Sequence, residues 1–294
     1  MSRTSAAAFR YEPGLSPAPS SLRAGLQRAR GLLDVKFRRR GEATILESLR
    51  QEGCLKARLT RPEPGSWTCL VALNCSGGVA AGDLLHVVLE AGEGARVTLA
   101  GQAAERFYRA MPGSLPAQLR TELQIAPGAA IEWLPQETIL FNHANLEREL
   151  DVRVTADAWF LAVETLIFGR TAMGEEVRQV RLRDRIRLRR DGRLILQDAV
   201  RLDGDAAALL DRPAVGGGAR AVATIVHASP EAEAVLDGLR AVLSETQTQW
   251  GASGWNGMLV ARICAVSGRY ARSAVIAGLA ALRGARPLPR VWMC

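Results

Sequence analysis

In Val180-Arg181-Leu182-Arg183-Asp184-Arg185-Ile186-Arg187-Leu188-Arg189-Arg190-Asp191-Gly192-Arg193-Leu194-Ile195-Leu196, the apolar residues Val180, Leu182, Ile186 and Leu188 alternate with arginines, and the stretch then turns through Asp-Gly into Leu194 and Leu196. A period of two belongs to a half-buried strand, and Asp-Gly between alternating segments marks a tight hairpin. Arg181, Arg183, Arg185, Arg187 and Arg189 share one face, where five like charges repel unless acids, solvent or a partner offset them. That face reads either as a solvated edge strand guarded against aggregation or as a partner-docking stripe.

The same period dominates the chain from Leu32 to about residue 228. Leu146, Leu150, Val152 and Val154 fall on one parity, with Glu147, Glu149, Asp151 and Arg153 on the other. Turns are marked by Gly41, Gly65, Gly77-Gly78, Gly94, Gly113, Pro127-Gly128, Gly204 and Gly216-Gly217-Gly218. Two helices interrupt the pattern near the end. One is expected to open on Ser229 as N-cap with Pro230 next, placing Val235, Leu236, Leu239, Val242 and Leu243 on one face; the other carries Val275, Ile276, Leu279 and Leu282. Trp255 to Val266 between them reads as one strand. The fold class expected is mainly β, with a disordered tail over residues 1–30 and a single domain over residues 31–294.

Composition excludes several functions. Lys36 and Lys56 are the only lysines and neither has P-loop glycines around it, so the chain is expected neither to bind nor to hydrolyse nucleotide that way. No apolar run approaches the roughly 18 residues of a membrane-spanning helix, and no membrane partner is expected. The five cysteines form no C-x-x-C pair, which points to a reducing, cytoplasmic setting. His86, His143 and His227 are isolated, so no high-affinity metal site and no tightly bound cofactor is expected. The net charge of +8 implies an acidic partner, and a basic nucleic-acid-binding protein is the alternative reading. Aromatics that do not interleave with the arginines argue against it. A cysteine hydrolase using Cys75 is a further rival, but no histidine or acid is assignable to it.

Several segments stand out in order: Asn74-Cys75-Ser76-Gly77-Gly78-Val79-Ala80-Ala81-Gly82-Asp83; Gln102-Ala103-Ala104-Glu105-Arg106-Phe107-Tyr108-Arg109; Trp133-Leu134-Pro135-Gln136-Glu137-Thr138-Ile139-Leu140-Phe141; Glu164-Thr165-Leu166-Ile167-Phe168-Gly169-Arg170; Met173-Gly174-Glu175; Trp255-Asn256-Gly257; and Leu288-Pro289-Arg290-Val291-Trp292. In this order, over about residues 31 to 294, the set resembles the UreD family of urease accessory proteins, also called UreH. It departs from that family where a further glycine usually stands at Ala81 and threonines commonly stand at Ala100-Gly101.

The resemblance implies stacked β-sheets in a β-helix-like arrangement with two C-terminal α-helices. It also implies a non-enzymatic urease maturation factor, a nickel-insertion chaperone that scaffolds an accessory complex on apo-urease. Its partners would be UreF and the GTPase UreG, with transient Ni²⁺ transfer to a carbamylated lysine site. Asp83, Glu137, Glu164 and Glu175 lie in the matched segments, and hard carboxylate oxygens could carry Ni²⁺ weakly. The plain alternative for Glu137 and Glu164 is an ion pair with arginines at strand ends, and for Asp83 a cap within a structural turn.

Overall fold

The computed structural model describes residues 27–61, 64–170, 173–284 and 286–293; residues 1–26 of the expected tail lie outside it. The chain is mainly β, built as two large sheets with its two longer helices on one side. The first sheet has the order β14 (Arg193–Gly204), β13 (Val180–Arg190), β11 (Asn145–Val154), β8 (Ala117–Ile125), β5 (Leu84–Ala91), β1 (Arg30–Arg40), β2 (Ala43–Gly53). The second has the order β16 (Gln249–Trp255), β17 (Met258–Ala265), β15 (Ala221–Ala228), β12 (Trp159–Phe168), β9 (Ala130–Leu134), β6 (Arg96–Gly101), β4 (Thr68–Asn74), β3 (Leu55–Leu59). Short β7 (Glu105–Phe107) and β10 (Thr138–Leu140) pair beside β12.

From β4 to β13 the chain passes back and forth between the sheets, so each arriving strand lies parallel to the one before it in its own sheet. The hairpin at Asp191-Gly192 joins β13 to β14, and both turn residues have positive φ, as a two-residue loop requires. Asn256-Gly257 makes the same turn between β16 and β17. The segment read as one strand from Trp255 to Val266 is therefore the last residue of β16, a turn and β17. The preceding strand, β16, contains Gly251 and Gly254, which mute its β signal.

Alternation in the first sheet places one face inward. Leu33, Val35 and Phe37 of β1, Leu146, Leu150 and Val152 of β11, and Leu182, Ile186 and Leu188 of β13 are buried against Leu70, Leu99, Ile131, Phe160 and Phe168 of the second sheet. The other face of the first sheet is solvated. The second sheet is covered on both faces: Leu161, Val163, Ile225 and Ile263 pack against Leu239 and Leu243 of α2 (Leu236–Ser244) and Val275, Leu279 and Leu282 of α3 (Gly268–Arg283). Hence β12 is nearly continuous in burial rather than alternating.

The helices differ from expectation at one end. The α2 helix starts at Leu236, preceded by a 3₁₀ turn over Ala232–Val235, and Ser229 contacts His227 instead of capping it. Val235 consequently points toward solvent. A six-residue helix, α1 (Ala206–Asp211), capped by the Asp205 carboxylate at the Ala208 N–H, is too short to show a period. No helix among the described residues is long and apolar enough to cross a membrane.

Candidate functional site: a carboxylate-lined cavity between the sheets

A cavity of about 250 Å³ lies between the two sheets, lined by Asn74, Gln102, Glu105, Trp133, Arg148 and Glu164 among others. Parity on β12 brings Glu164 there: it shares the face of Phe160, Ala162, Leu166 and Phe168, all of which point into the core between the sheets. Parity on β11 does the same for Arg148, which falls between buried Leu146 and Leu150. Asp184 joins them from β13, between Leu182 and Ile186.

The three groups form one buried cluster. Arg148 donates Nε and Nη2 to the two oxygens of Asp184 at 2.9 and 2.6 Å, the fork that a guanidinium makes with a carboxylate. Its Nη1 lies 2.6 Å from Glu164 Oε2 and donates to Thr138 Oγ1 at 2.8 Å. The other oxygen of Glu164 accepts Trp133 Nε1–H at 2.7 Å. Two carboxylates thus share one guanidinium. Burial pushes the Glu164 carboxyl up, the charge of Asp184 adds to the push, and Arg148 and Trp133 offset it only in part. Glu105, which accepts from Asn74 Nδ2 at 3.1 Å, is also pushed up by burial.

The other residues singled out in the sequence stand outside this lining. Asp83 accepts the backbone N–H groups of Ala29 and Ala80, both at 2.8 Å, and so ties the glycine-rich turn to the start of β1. Within that turn a Cβ at Gly78, where φ is +139°, would meet the Tyr108 ring at 2.5 Å. Ala81 is buried without positive φ, so this position does not require glycine. Glu137 meets Arg272 of α3 at 2.7 Å. Arg272 also donates to the Trp292 carbonyl at 2.7 Å, so the pair fastens α3 and the C-terminal Leu288–Trp292 stretch to the Pro135–Gln136 corner. Glu175 accepts from the backbone of Asn142 and Arg170 and pairs with the Arg170 side chain at 2.8 Å; burial opposes ionisation there, but these bonds hold its carboxyl below the usual range.

The arginine stripe lies on the solvated face of the first sheet, yet β13 is an inner strand with β14 outside it, so the edge-strand reading does not hold. The strand β11 supplies most of the opposing charge: Arg183 meets Glu147 at 3.0 Å, Arg187 meets Glu149, and Arg189 meets Asp151 at 2.8 Å. Arg148, Asp184 and Glu105 were not singled out from the sequence. For the first two the signal was present, since each is a charged residue at a core-facing position of an alternating strand. Among the described residues, no cluster of three or more His, Cys, Asp or Glu side chains is arranged to hold a metal ion.

Comparison with known proteins agrees across the chain. Residues 29–293 match the family model described as UreD urease accessory protein. The Urease accessory protein UreD of Xanthobacter autotrophicus is 44% identical over 290 residues, covering 98% of this chain and 99% of that one. The Urease accessory protein UreD of a Methylobacterium species is 46% identical over 257 residues, covering 86% and 90%. The Urease accessory protein UreD 3 of a Bradyrhizobium species is 42% identical over 266 residues, covering 90% and 94%. With a family match along almost its whole length and relatives at this identity, the chain belongs to the UreD family of urease accessory proteins.

Proposed function

We propose that this chain serves urease maturation in the cytoplasm as a non-catalytic nickel-insertion chaperone, scaffolding UreF and the GTPase UreG on apo-urease and conducting Ni²⁺ through the cavity between its sheets. The relatives' names support the urease role. The observation that carries the conduit is Glu164 at the cavity wall, clustered there with Arg148 and, behind it, Asp184. With both carboxylates ionised the cluster holds one net negative charge out of water, a state that burial penalises and a passing hydrated dication relieves. Carboxylate oxygens bind Ni²⁺ less tightly than histidine or thiolate would, so the cargo can leave. Glu105, nearer the glycine-rich turn, provides a second such oxygen pair.

For Asp83, Glu137 and Glu175, the bonds described above favour a structural role over a metal-carrying one. The test compares urease activation by Glu105→Gln and Glu164→Gln with that by Asp83→Asn, Glu137→Gln and Glu175→Gln, each alongside its recovery on tagged apo-urease with UreF and UreG. The expected result is normal recovery with reduced activation for the first two, and parallel changes, or none, for the other three. Normal activation by both cavity variants would leave the scaffold without the conduit.

A further inference from the structure

On the outer face of the first sheet, opposite charges are matched along most of β13, with one interruption. Arg185 stands directly across from Glu149, but that carboxylate is engaged by Arg187. Arg201 on β14 faces Arg183 in the register, like charge against like, while Arg183 itself is paired with Glu147. Among the described residues, neither Arg185 nor Arg201 has a carboxylate partner, and both are exposed. Arg185 pairs in register with Ala199, so Arg201 is its diagonal neighbour, about 7–8 Å away. Both line a concavity of about 480 Å³ that also holds Arg120 and Arg183. Like charges so placed disfavour the fold, and a bound anion would offset them. The strand β14 is moreover the sheet's edge over its twelve residues, with one row of backbone groups left by the sheet for an extended segment to pair with.

We infer that Arg185 and Arg201 form a receiving site for an acidic, extended segment of a protein partner that lies along β14. Carboxylates two residues apart on such a segment are about 7 Å apart, which matches the diagonal spacing of the two arginines. A nucleic acid fits less well. Glu147, Glu149 and Asp184 also line the concavity, so it suits separate carboxylates reaching Arg185 and Arg201 better than the closely spaced charges of a phosphate backbone, and no Phe, Tyr or Trp lines it to stack on bases. The inference rests on the scaffold part of the proposed function and is independent of nickel.

The experiment measures fluorescence anisotropy of a labelled hexaglutamate peptide titrated with the full chain at low salt, beside a single-stranded RNA of equal formal charge. The Arg185→Gln/Arg201→Gln variant should weaken peptide binding about tenfold, equivalent to about 1.4 kcal/mol. An Arg50→Gln/Arg240→Gln variant of the same net charge should change it less than about twofold, since those positions lie on other surfaces. The Arg185→Gln/Arg201→Gln variant should also melt no lower than the wild type. Equal peptide affinity for wild type and that variant would overturn the site, as would binding of RNA but not peptide that the same variant abolishes. Neither nickel nor urease is in the assay, so its failure leaves the urease role standing, and failure of nickel transfer leaves this site standing.

Discussion

Glu132 and Glu164 lie on neighbouring strands of the second sheet, β9 and β12, both out of solvent, yet their surroundings are opposite in charge. Glu132 faces the helices, where one carboxylate meets two guanidiniums: Arg283 by a fork at 2.9 and 2.9 Å, and Arg286 at 2.9 Å, with Thr98 donating as well. Burial pushes its carboxyl up, but these donors pull harder and hold it below the usual range. Arg286 is itself stacked on Trp67 and Trp159, at 4.0 and 5.0 Å from the ring centres. Glu164 faces the cavity, where two carboxylates share one guanidinium and its carboxyl is held above the usual range. The comparison separates a carboxylate that fastens a layer from one left short of positive charge beside open space.

The largest effect should come from breaking the fastened side. Leu239→Asp places a carboxylate in the helix–sheet layer, where Leu239 is fully buried, and should cost more than about 4 kcal/mol in urea unfolding. Next, Arg283→Met leaves Glu132 buried with Arg286 as its one remaining cation and should cost about 3–5 kcal/mol. By contrast, Glu164→Gln leaves Arg148 its bidentate partner Asp184 and keeps an acceptor for Trp133, so it should cost about 1 kcal/mol or less. If Glu164→Gln destabilises as much as Arg283→Met, the two clusters are equally structural and the comparison fails.

Acid titration sharpens the same contrast, with opposite signs. The lowered pKa of Glu132 contributes stability that is present above the ordinary glutamate value and lost as pH falls through the folded value. Wild type should therefore lose its advantage over Glu132→Gln in that acidic window. The raised pKa of Glu164 contributes stability that is present below the ordinary value and lost as pH rises through the folded one, so Glu164→Gln should gain on wild type in the window just above about 4.3. Parallel pH profiles for the two variants would contradict these assignments. Smallest of all, Arg183→Gln on the solvated ladder should shift stability by less than about 1 kcal/mol, because both partners are well exposed.

The β architecture was legible wherever one strand face is wet: β11, β13 and the Asp-Gly hairpin follow from alternation alone. Where both faces are covered, as in β12, alternation disappears, and Glu164 was reached only through the family-like segment that contains it. Arg148 and Asp184 were readable as charges at core-facing positions, but their meeting depends on β11 and β13 lying side by side, which local pattern does not specify. Glu132 sits in the short, wholly buried run Ala130–Leu134, and its partners Arg283 and Arg286 follow more than 150 residues later. Such pairings are set by chain path and not by period.

The most direct test of the central claim is the nickel content of urease matured with Glu164→Gln, measured together with that variant's melting temperature and its recovery on apo-urease. If Glu164 carries Ni²⁺, the complex is intact, the melting temperature is near normal and the urease holds too little nickel. Full nickel loading with an intact complex would contradict that role.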